Sequence, residues 1–369
     1  MGRNKDFGWR VLVTLGLVAS TVSGAVPAAA GESRPLPARS EVVARHLANP
    51  RGITVGVGGA VYVAEAGQGG THCVRVDGAR LCGGATGSVT RVVPSRRVMM
   101  AGLPSLARPG GAAAVGPADA HARSETLFVI MGDRTGLPVA LDQPELGTIR
   151  ERITRRTSNR RGDVSEYEAL VDPDGEGVDA NPASVTTDGT GFYAVDAAGN
   201  AVWRFNQYGV GRLFAVIPGG QVEFPAGSGN QVSYQAVPTA VTVGPDAGIY
   251  VAELTGYPYP VGRANVYKIT GGVPVVAHSG FTNIIDIAFG PDGSLYVLEI
   301  AKKGLLAVGR DGLTSGRLVR VHPDGSRQVL SGDELRSPGG VAVAPDGDVY
   351  VTNRATRPTT GQVLRYRSP

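Results

Sequence analysis

Along most of this chain apolar residues recur at every second position for four to six residues. The short runs are then broken by Gly, Pro, Asn or Asp. That period belongs to half-buried strands joined by turns. One phrase keeps returning: a small residue or Pro, an apolar strand, a tight turn, then a strand centred on an aromatic and closed by an acid or amide. It reads Pro50–Val55 with Val61–Glu65, Pro238–Val243 with Ile249–Glu253, 286–289 with Leu295–Glu299, and 338–343 with Val349–Asn353. Weaker copies centre on Phe128 and Tyr193. The aromatic anchors therefore stand at 62, 128, 193, 250, 296 and 350, between 46 and 66 residues apart.

A second phrase follows each anchor, Gly or Asn and then apolar residues alternating with Arg or Lys, at 87–92, 147–150, 200–205, 265–269, 316–321 and 361–366. A fourth strand is predicted in most units, at 97–100, 167–170, 213–216, 275–278 and 327–330. The sixth unit has room for none, since only three residues follow Tyr366. A strand-like piece stands unpaired at 41–47. Four-stranded units of this length cannot bury both faces alone, but packed radially they bury one another. The pattern predicts an all-β fold, a six-bladed β-propeller over 41–369 whose N-terminal strand completes the last blade and removes two sheet edges. The competing readings are seven blades, with a divergent one hidden in 130–180, and an open β-solenoid.

The connections differ by face. First and second strands are joined by short turns such as Gly290-Pro291-Asp292-Gly293, where Pro presets φ and Gly supplies the positive φ. Second and third strands are joined by long loops, about 66–86, 132–146, 254–264 and 300–315, so the binding face is expected there. The second strands end on that face at Glu65, Asp196, Glu253, Glu299 and Asn353, with Met131 breaking the set. Around one mouth, Glu65, Asp196, Glu253 and Glu299 would suit Ca²⁺; pairing with Arg or solvation is the plainer alternative. Aligning the first strands puts Asp119 and Asp286 at matching positions of opposite blades, two and five. There they face the axis and hold an ion or water, or bond backbone N–H groups. Tyr257 and Tyr259 add rigid aromatics to the long-loop face, fit either for sugars and apolar ligands or for packing.

Composition adds a compartment. Arg3, Lys5 and Arg10 precede the apolar stretch 11–26 and Ala28-Ala29-Ala30, the layout of a secretory signal over 1–30, with 31–40 as a short linker. Cleavage is placed after Ala30, or failing that after Ala25. Export makes a Cys73–Cys82 disulfide the expected state, a short closure contributing about 2–3 kcal/mol. The leader carries a net +2 of the formal +4, which leaves too little charge to argue for nucleic acid or a membrane surface. No later apolar run reaches the roughly 18 residues of a span, and a monomer is expected. Gly and Pro make up 79 of 369 residues without a three-residue period, which excludes collagen and fits a turn-rich fold.

Motifs for familiar chemistry are missing: there is no Gly-x-Ser-x-Gly elbow, His-Glu-x-x-His, phosphate loop or dinucleotide fingerprint. Arg150, Arg152, Arg155, Arg156, Arg160 and Arg161 read as a solvated basic flap on blade two. The stretch Asp172-Pro173-Asp174-Gly175-Glu176-Gly177-Val178-Asp179 lacks EF-hand spacing and reads as a turn.

Several phrases together resemble the ScyD/ScyE family of secreted propellers. They are Asn49-Pro50-Arg51-Gly52 with Val61 to Gly67, the Cys73/Cys82 loop, Gly84-Ala85-Thr86-Gly87, and Tyr167-Glu168-Ala169 with Asp172-Pro173-Asp174-Gly175. Val251 to Gly256 follows, then Gly280 to Asp286 with Leu295 to Ile300. The resemblance spans nearly all of the mature chain. It implies a propeller and an extracellular location, but no catalytic residue carries over. Gly132-Asp133-Arg134-Thr135-Gly136 departs from the family's Gly-rich segment. The leading expectation is a propeller without chemistry of its own that holds a small molecule, glycan or protein on the long-loop face. Its rival is a calcium-dependent lactonase or esterase, or a lactone lyase, in which a metal in the acid-lined mouth polarises a carbonyl.

Overall fold

The computed structural model describes residues 40–368 except 77, 134–136, 142 and 154–158. The expected leader at 1–30 and nearly all of the linker lie outside that range, as do Arg155 and Arg156. Strands dominate, and six antiparallel sheets succeed one another along the chain. Blade one runs Pro50–Val55, Val61–Glu65, Ala79–Val93 and Arg97–Ala107 from axis to rim. Blade two is Pro117–Arg123, Thr126–Met131, Thr148–Ile153 and Asn159–Asp163. Blade three is Pro182–Thr187, Gly191–Asp196, Ala201–Asn206 and Gly211–Val216. Blade four is Pro238–Val243, Ile249–Glu253, Ala264–Thr270 and Val273–Phe281, and blade five Ile284–Phe289, Leu295–Glu299, Arg317–Val321 and Arg327–Val329. Blade six takes Gly340–Val343, Val349–Asn353 and Gly361–Tyr366 from the C-terminus and Ser40–Leu47 from the other end of the chain.

The ring closes. Each innermost strand touches the next, and the last, Gly340–Val343, returns to the first, Pro50–Val55. Ser40 pairs with Tyr366 and Leu47 with Gly361, so the N-terminal strand forms the outer edge of the final blade. Across the same seam Thr352 donates to the Arg51 carbonyl at 2.7 Å, and the Asn49 N–H donates to the Arg357 carbonyl at 2.9 Å. Packing between blades follows the alternation. Val63, Val129, Ala194, Val251, Val297 and Val351 all hold the same place on the second strand, and all are fully buried. Six clusters of the core each join residues of adjacent sheets, for example Tyr193 and Val195 with Val241 and Val251. This is why the repeat needs its neighbours.

Three departures from the sequence reading carry physical reasons. The piece 167–170 is no strand: Val164–Val171 is a helix, and the outer strand of blade two is Asn159–Asp163 before it. Asp163 caps the helix by accepting the Glu166 N–H at 2.9 Å, a capping-box spacing that overrides the short apolar word. Residues 130–180 thus hold the outer half of blade two and a helix, and no seventh sheet among the described residues. The loop 66–86 is largely a hairpin, His72–Val76 against the start of Ala79–Val93, with Cys73 and Cys82 directly opposed and joined as a disulfide. A further hairpin, Gly220–Glu223 with Gln231–Tyr234, bridges blades three and four.

Candidate functional site

The second strands do end together on the long-loop face, but their terminal side chains turn inward. Glu65, Asp196, Glu253, Glu299 and Asn353 are each at most 4% exposed. Most of them grip the backbone of the segment that leads into the same blade. Glu65 Oε2 accepts the Ala48 N–H at 2.7 Å, while Ser88 and Thr90 donate to Oε1. Asp196 Oδ1 accepts the Asn181 N–H at 2.6 Å, and Glu299 Oε1 accepts the Thr282 N–H at 2.8 Å. Asn353 Oδ1 accepts the Arg336 N–H at 2.7 Å and its amide donates to the Glu334 carbonyl at 3.0 Å. Glu253 differs: Asn265 donates to its Oε1 from both backbone and side chain, and Tyr267 adds its hydroxyl. The chain must turn sharply from outer strand to inner strand at these points, and the acids satisfy N–H groups that no sheet reaches.

Glu299 also meets a cation. Arg317 donates Nε to Oε2 at 2.6 Å and Nη2 to Oε1 at 2.8 Å, a two-pronged pair on a fully buried carboxylate. Asp196 Oδ2 and Glu253 Oε2, by contrast, are buried without any hydrogen-bond partner. Burial pushes both carboxyls up to about 7, with bonds from Asn181 and from Asn265 and Tyr267 opposing it. Among the described residues no three His, Cys, Asp or Glu side chains stand as a group able to hold a metal ion.

Nearer the axis, Asp119 and Asp286 line the channel wall, half-buried. Each caps its own following residue and reaches one blade onward. Asp119 Oδ1 accepts from the Ala120 N–H at 2.7 Å, and Oδ2 accepts from Ser184 Oγ at 2.7 Å and the Val185 N–H at 3.1 Å. Asp286 Oδ1 accepts from the Ile287 N–H at 2.8 Å, and Oδ2 from the Val341 N–H at 2.7 Å. Ser184 repeats the reach toward Val241 at 3.4 Å. The matching residue in blade one is Gly52, and it must be: a Cβ there would lie 1.9 Å from Asp119 Oδ1. Burial lifts Asp119 to about 6 and Asp286 well above the usual range, the latter also through the charge of Asp119.

The aromatic pair divides. Tyr259 is buried, whereas Tyr257 is 38% exposed and stands edge-on to Tyr259 and to Phe224 of the added hairpin, with centroids 6.1 and 5.6 Å apart. The described arginines of the basic segment form no flap. Arg150, Arg152, Arg160 and Arg161 sit on the outer strands of blade two, with Arg150 on Glu145, Arg160 on Asp163 and Glu166, and Arg161 on Glu151. A cavity of about 480 Å³ lies beside the short turn 187–191, on the face opposite the long loops. Its wall includes Arg123, Phe128, Arg161, Phe192 and Tyr208. Nothing in the periodicity marked it, because it is made by the gap between two blades.

Burial of acids has a pH signature. A carboxyl whose folded pKa is raised binds its proton more tightly in the native state, so its contribution to stability falls as pH rises from the unfolded value to the folded one. Asp119, Glu168, Asp196, Glu253 and Asp286 are all raised, Glu168 to about 8. His121, held down to about 4 by burial, and His278, also lowered, act in the opposite sense below about 6.5. In chelator, the melting temperature is expected to climb as pH drops from 8 to 6.5 and then more slowly to 5. A flat or falling curve between 8 and 6.5 in a thermal-shift series would contradict the assigned burial.

The sequence matches no protein-family model and no curated protein. Solved structures share the fold. A structural-genomics protein of unknown function from Bacteroides thetaiotaomicron aligns with a TM-score of 0.51 at 13% identity, over 88% of this chain and 72% of its own. A streptogramin B lyase gives 0.47 at 13% identity, over 89% of this chain and 97% of its own. Virginiamycin B lyase from Staphylococcus aureus gives 0.46 at 11% identity, over 88% and 98%. At these identities the likeness is one of fold and carries no chemistry across.

Proposed function

We propose that the chain is a secreted, ScyD/ScyE-like propeller that holds a ligand on its long-loop face and performs no chemistry on it. The observation that carries this reading is the employment of the strand-end side chains. Glu65, Glu299 and Asn353 have every polar atom engaged by the protein itself, so the ring expected to serve a metal is largely committed to joining strands. What the face offers outward is Tyr257, propped by Phe224 and Tyr259, an amphipathic surface suited to sugars or flat apolar molecules. The Cys73–Cys82 disulfide fits an oxidising compartment, and no described helix is long and apolar enough to cross a membrane.

The rival reading is a calcium-dependent lactonase or esterase, or a lactone lyase. It is favoured by the unpartnered oxygens of Asp196 and Glu253. One experiment addresses both. The purified mature protein and Tyr257→Ala are applied to a glycan and small-molecule array, and the wild type is screened against lactones and esters with and without EDTA. The binding reading expects array signals that weaken roughly tenfold or more in Tyr257→Ala, with no turnover. Hydrolysis or ring opening that EDTA abolishes would replace it with the rival.

A further inference from the structure

Among the described residues, Glu168 alone has both side-chain oxygens buried without a hydrogen-bond partner. It sits on the helix Val164–Val171, is 0% exposed, and neither carboxylate oxygen has a hydrogen-bond partner. Asp196, at the end of the second strand of blade three, is equally buried and has Oδ2 unpartnered. Both carboxylates lie against the turn after Asp196, at Gly199. The Gly199 N–H points at Asp196 Oδ1 from 3.4 Å, and a Cβ on Gly199 would lie 2.4 Å from Glu168 Oε2. Only glycine leaves that space open. Among the described residues, neither acid has an Arg or Lys within ion-pairing distance.

More negative charge surrounds them. Asp196, Asp174, Asp179 and Asp172 all act on Glu168, and burial with these charges pushes its carboxyl up to about 8; Asp133 acts on Asp196 in the same sense. Asp172, Asp174 and Asp179 come from the connector between blades two and three. That connector is irregular: Asp172 takes a left-handed φ of 43°, and Asp172 and Asp174 cap the backbone N–H groups of Gly177 and Glu176. Asn200 ties it to blade three by donating to Asp174 Oδ2 at 2.7 Å. Two buried carboxylates close together, Glu168 with no partner and Asp196 with one bare oxygen, would cost several kcal/mol if both were ionised. Either a proton or a cation removes that cost.

We propose that Glu168 and Asp196 are the core of a calcium site that pins the connector 172–179 to blade three. The donors are all oxygen, which excludes the preference of zinc for nitrogen and sulfur. A bidentate Glu168, one oxygen of Asp196, and carbonyl groups and water from an irregular turn suit the flexible, high coordination number of Ca²⁺ better than the octahedron of Mg²⁺. No three acidic side chains are gathered as a ligand group among the described residues, so carbonyls and water make up the set. A dissociation constant on the order of 0.1–1 mM follows, the range of extracellular modules. The site does not depend on the ligand-binding reading above: it would stabilise the loop face whatever that face holds.

A built-in reporter makes the test direct. Tyr167, next to Glu168, packs on Trp203 with ring centroids 5.9 Å apart. Trp203 is the one tryptophan left once the leader carrying Trp9 is removed. The mature protein is stripped with EDTA and titrated with CaCl₂, and in parallel with MgCl₂, at pH 7.5. Tryptophan emission, calorimetric heat and melting temperature are followed. Calcium is expected to change the emission saturably and to raise the melting temperature by about 2–4 °C at ten times the dissociation constant, with Mg²⁺ weaker. Glu168→Gln and Asp196→Asn should weaken calcium at least about tenfold, and Glu168→Gln should melt no lower than wild type in EDTA because it sheds an unpaired charge. No heat and no shift with wild-type protein would mean that a proton fills the role, and would overturn the proposal. An undiminished calcium response in Glu168→Gln would overturn it as well.

Discussion

A chain that begins at Ala48, without Ser40–Leu47, is expected to leave the column as aggregate and to lose its single cooperative melting transition. That strand is the outer edge of blade six, paired along Gly361–Tyr366. Its removal bares a run of unpaired N–H and C=O groups on a strand whose Val363 and Leu364 are buried, which is a template for association. It also removes Leu47, fully buried among Ile53, Val61, Val92 and Val363, and so unpacks the seam with blade one. The Ala48 N–H, held by Glu65, would lose its anchor next to the cut. The ion pairs from Glu41 to Arg365 and Arg367 are exposed and matter little. A gentler version is Leu47→Ala, expected to cost about 2–5 kcal/mol by cavity formation. Size-exclusion chromatography and thermal unfolding check both. A truncated chain that stays monomeric with the wild-type melting temperature would mean the ring does not rely on this latch.

The second large effect is expected at Arg317. Glu299 is fully buried and takes both prongs of the guanidinium. Arg317→Met leaves the carboxylate with only the Thr282 N–H, an uncompensated charge in the interior. Breaking a buried pair from one side costs about 3–5 kcal/mol, and the lower end applies because the Arg317 side chain is 34% exposed. Adding Glu299→Gln to Arg317→Met is expected to restore much of the loss, since the pair is costly to break but not costly to replace. Urea unfolding of the two single variants and the double variant gives the coupling. A double variant as unstable as the sum of the singles would show that the pair is not the unit assigned here.

Architecture was legible because a propeller repeats its local rules. The turns at 290–293 and 344–347, the aromatic at the centre of each second strand and the lone strand before Pro50 are all local words, and their order alone gave the ring and its latch. The helix Val164–Val171 was misread although its signal was present: Asp163-Val164-Ser165-Glu166 is a capping box, overlooked because each neighbouring unit carries a strand in that place. The hairpin carrying Cys73 and Cys82 and the one at 220–234 resist periodicity because each is short and follows a Gly-rich run.

The candidate site was half legible. Alignment placed Glu65, Asp196, Glu253, Glu299 and Asn353 at one level, and that holds. Sequence could not show which way they point. An acid that ends a strand at a mouth and one that caps the incoming backbone look alike until the partner N–H, 12 to 17 residues away in the chain, is placed. Glu168 was passed over for the same reason: its importance lies in having no partner, and that is a property of the surrounding fold.

The central claim is that the strand-end acids serve the chain and not a ligand, with Asp196 and Glu253 the members left a free oxygen. Melting temperatures of Glu65→Ala and Glu299→Ala, each taken in EDTA and in 5 mM calcium (roughly fivefold or more above the affinity argued for the Glu168 site), decide it. Both variants should lose the same number of degrees, relative to wild type, in either buffer. A deficit that appears only with calcium, and disappears when the metal is chelated, would place those carboxylates on an ion and contradict the account.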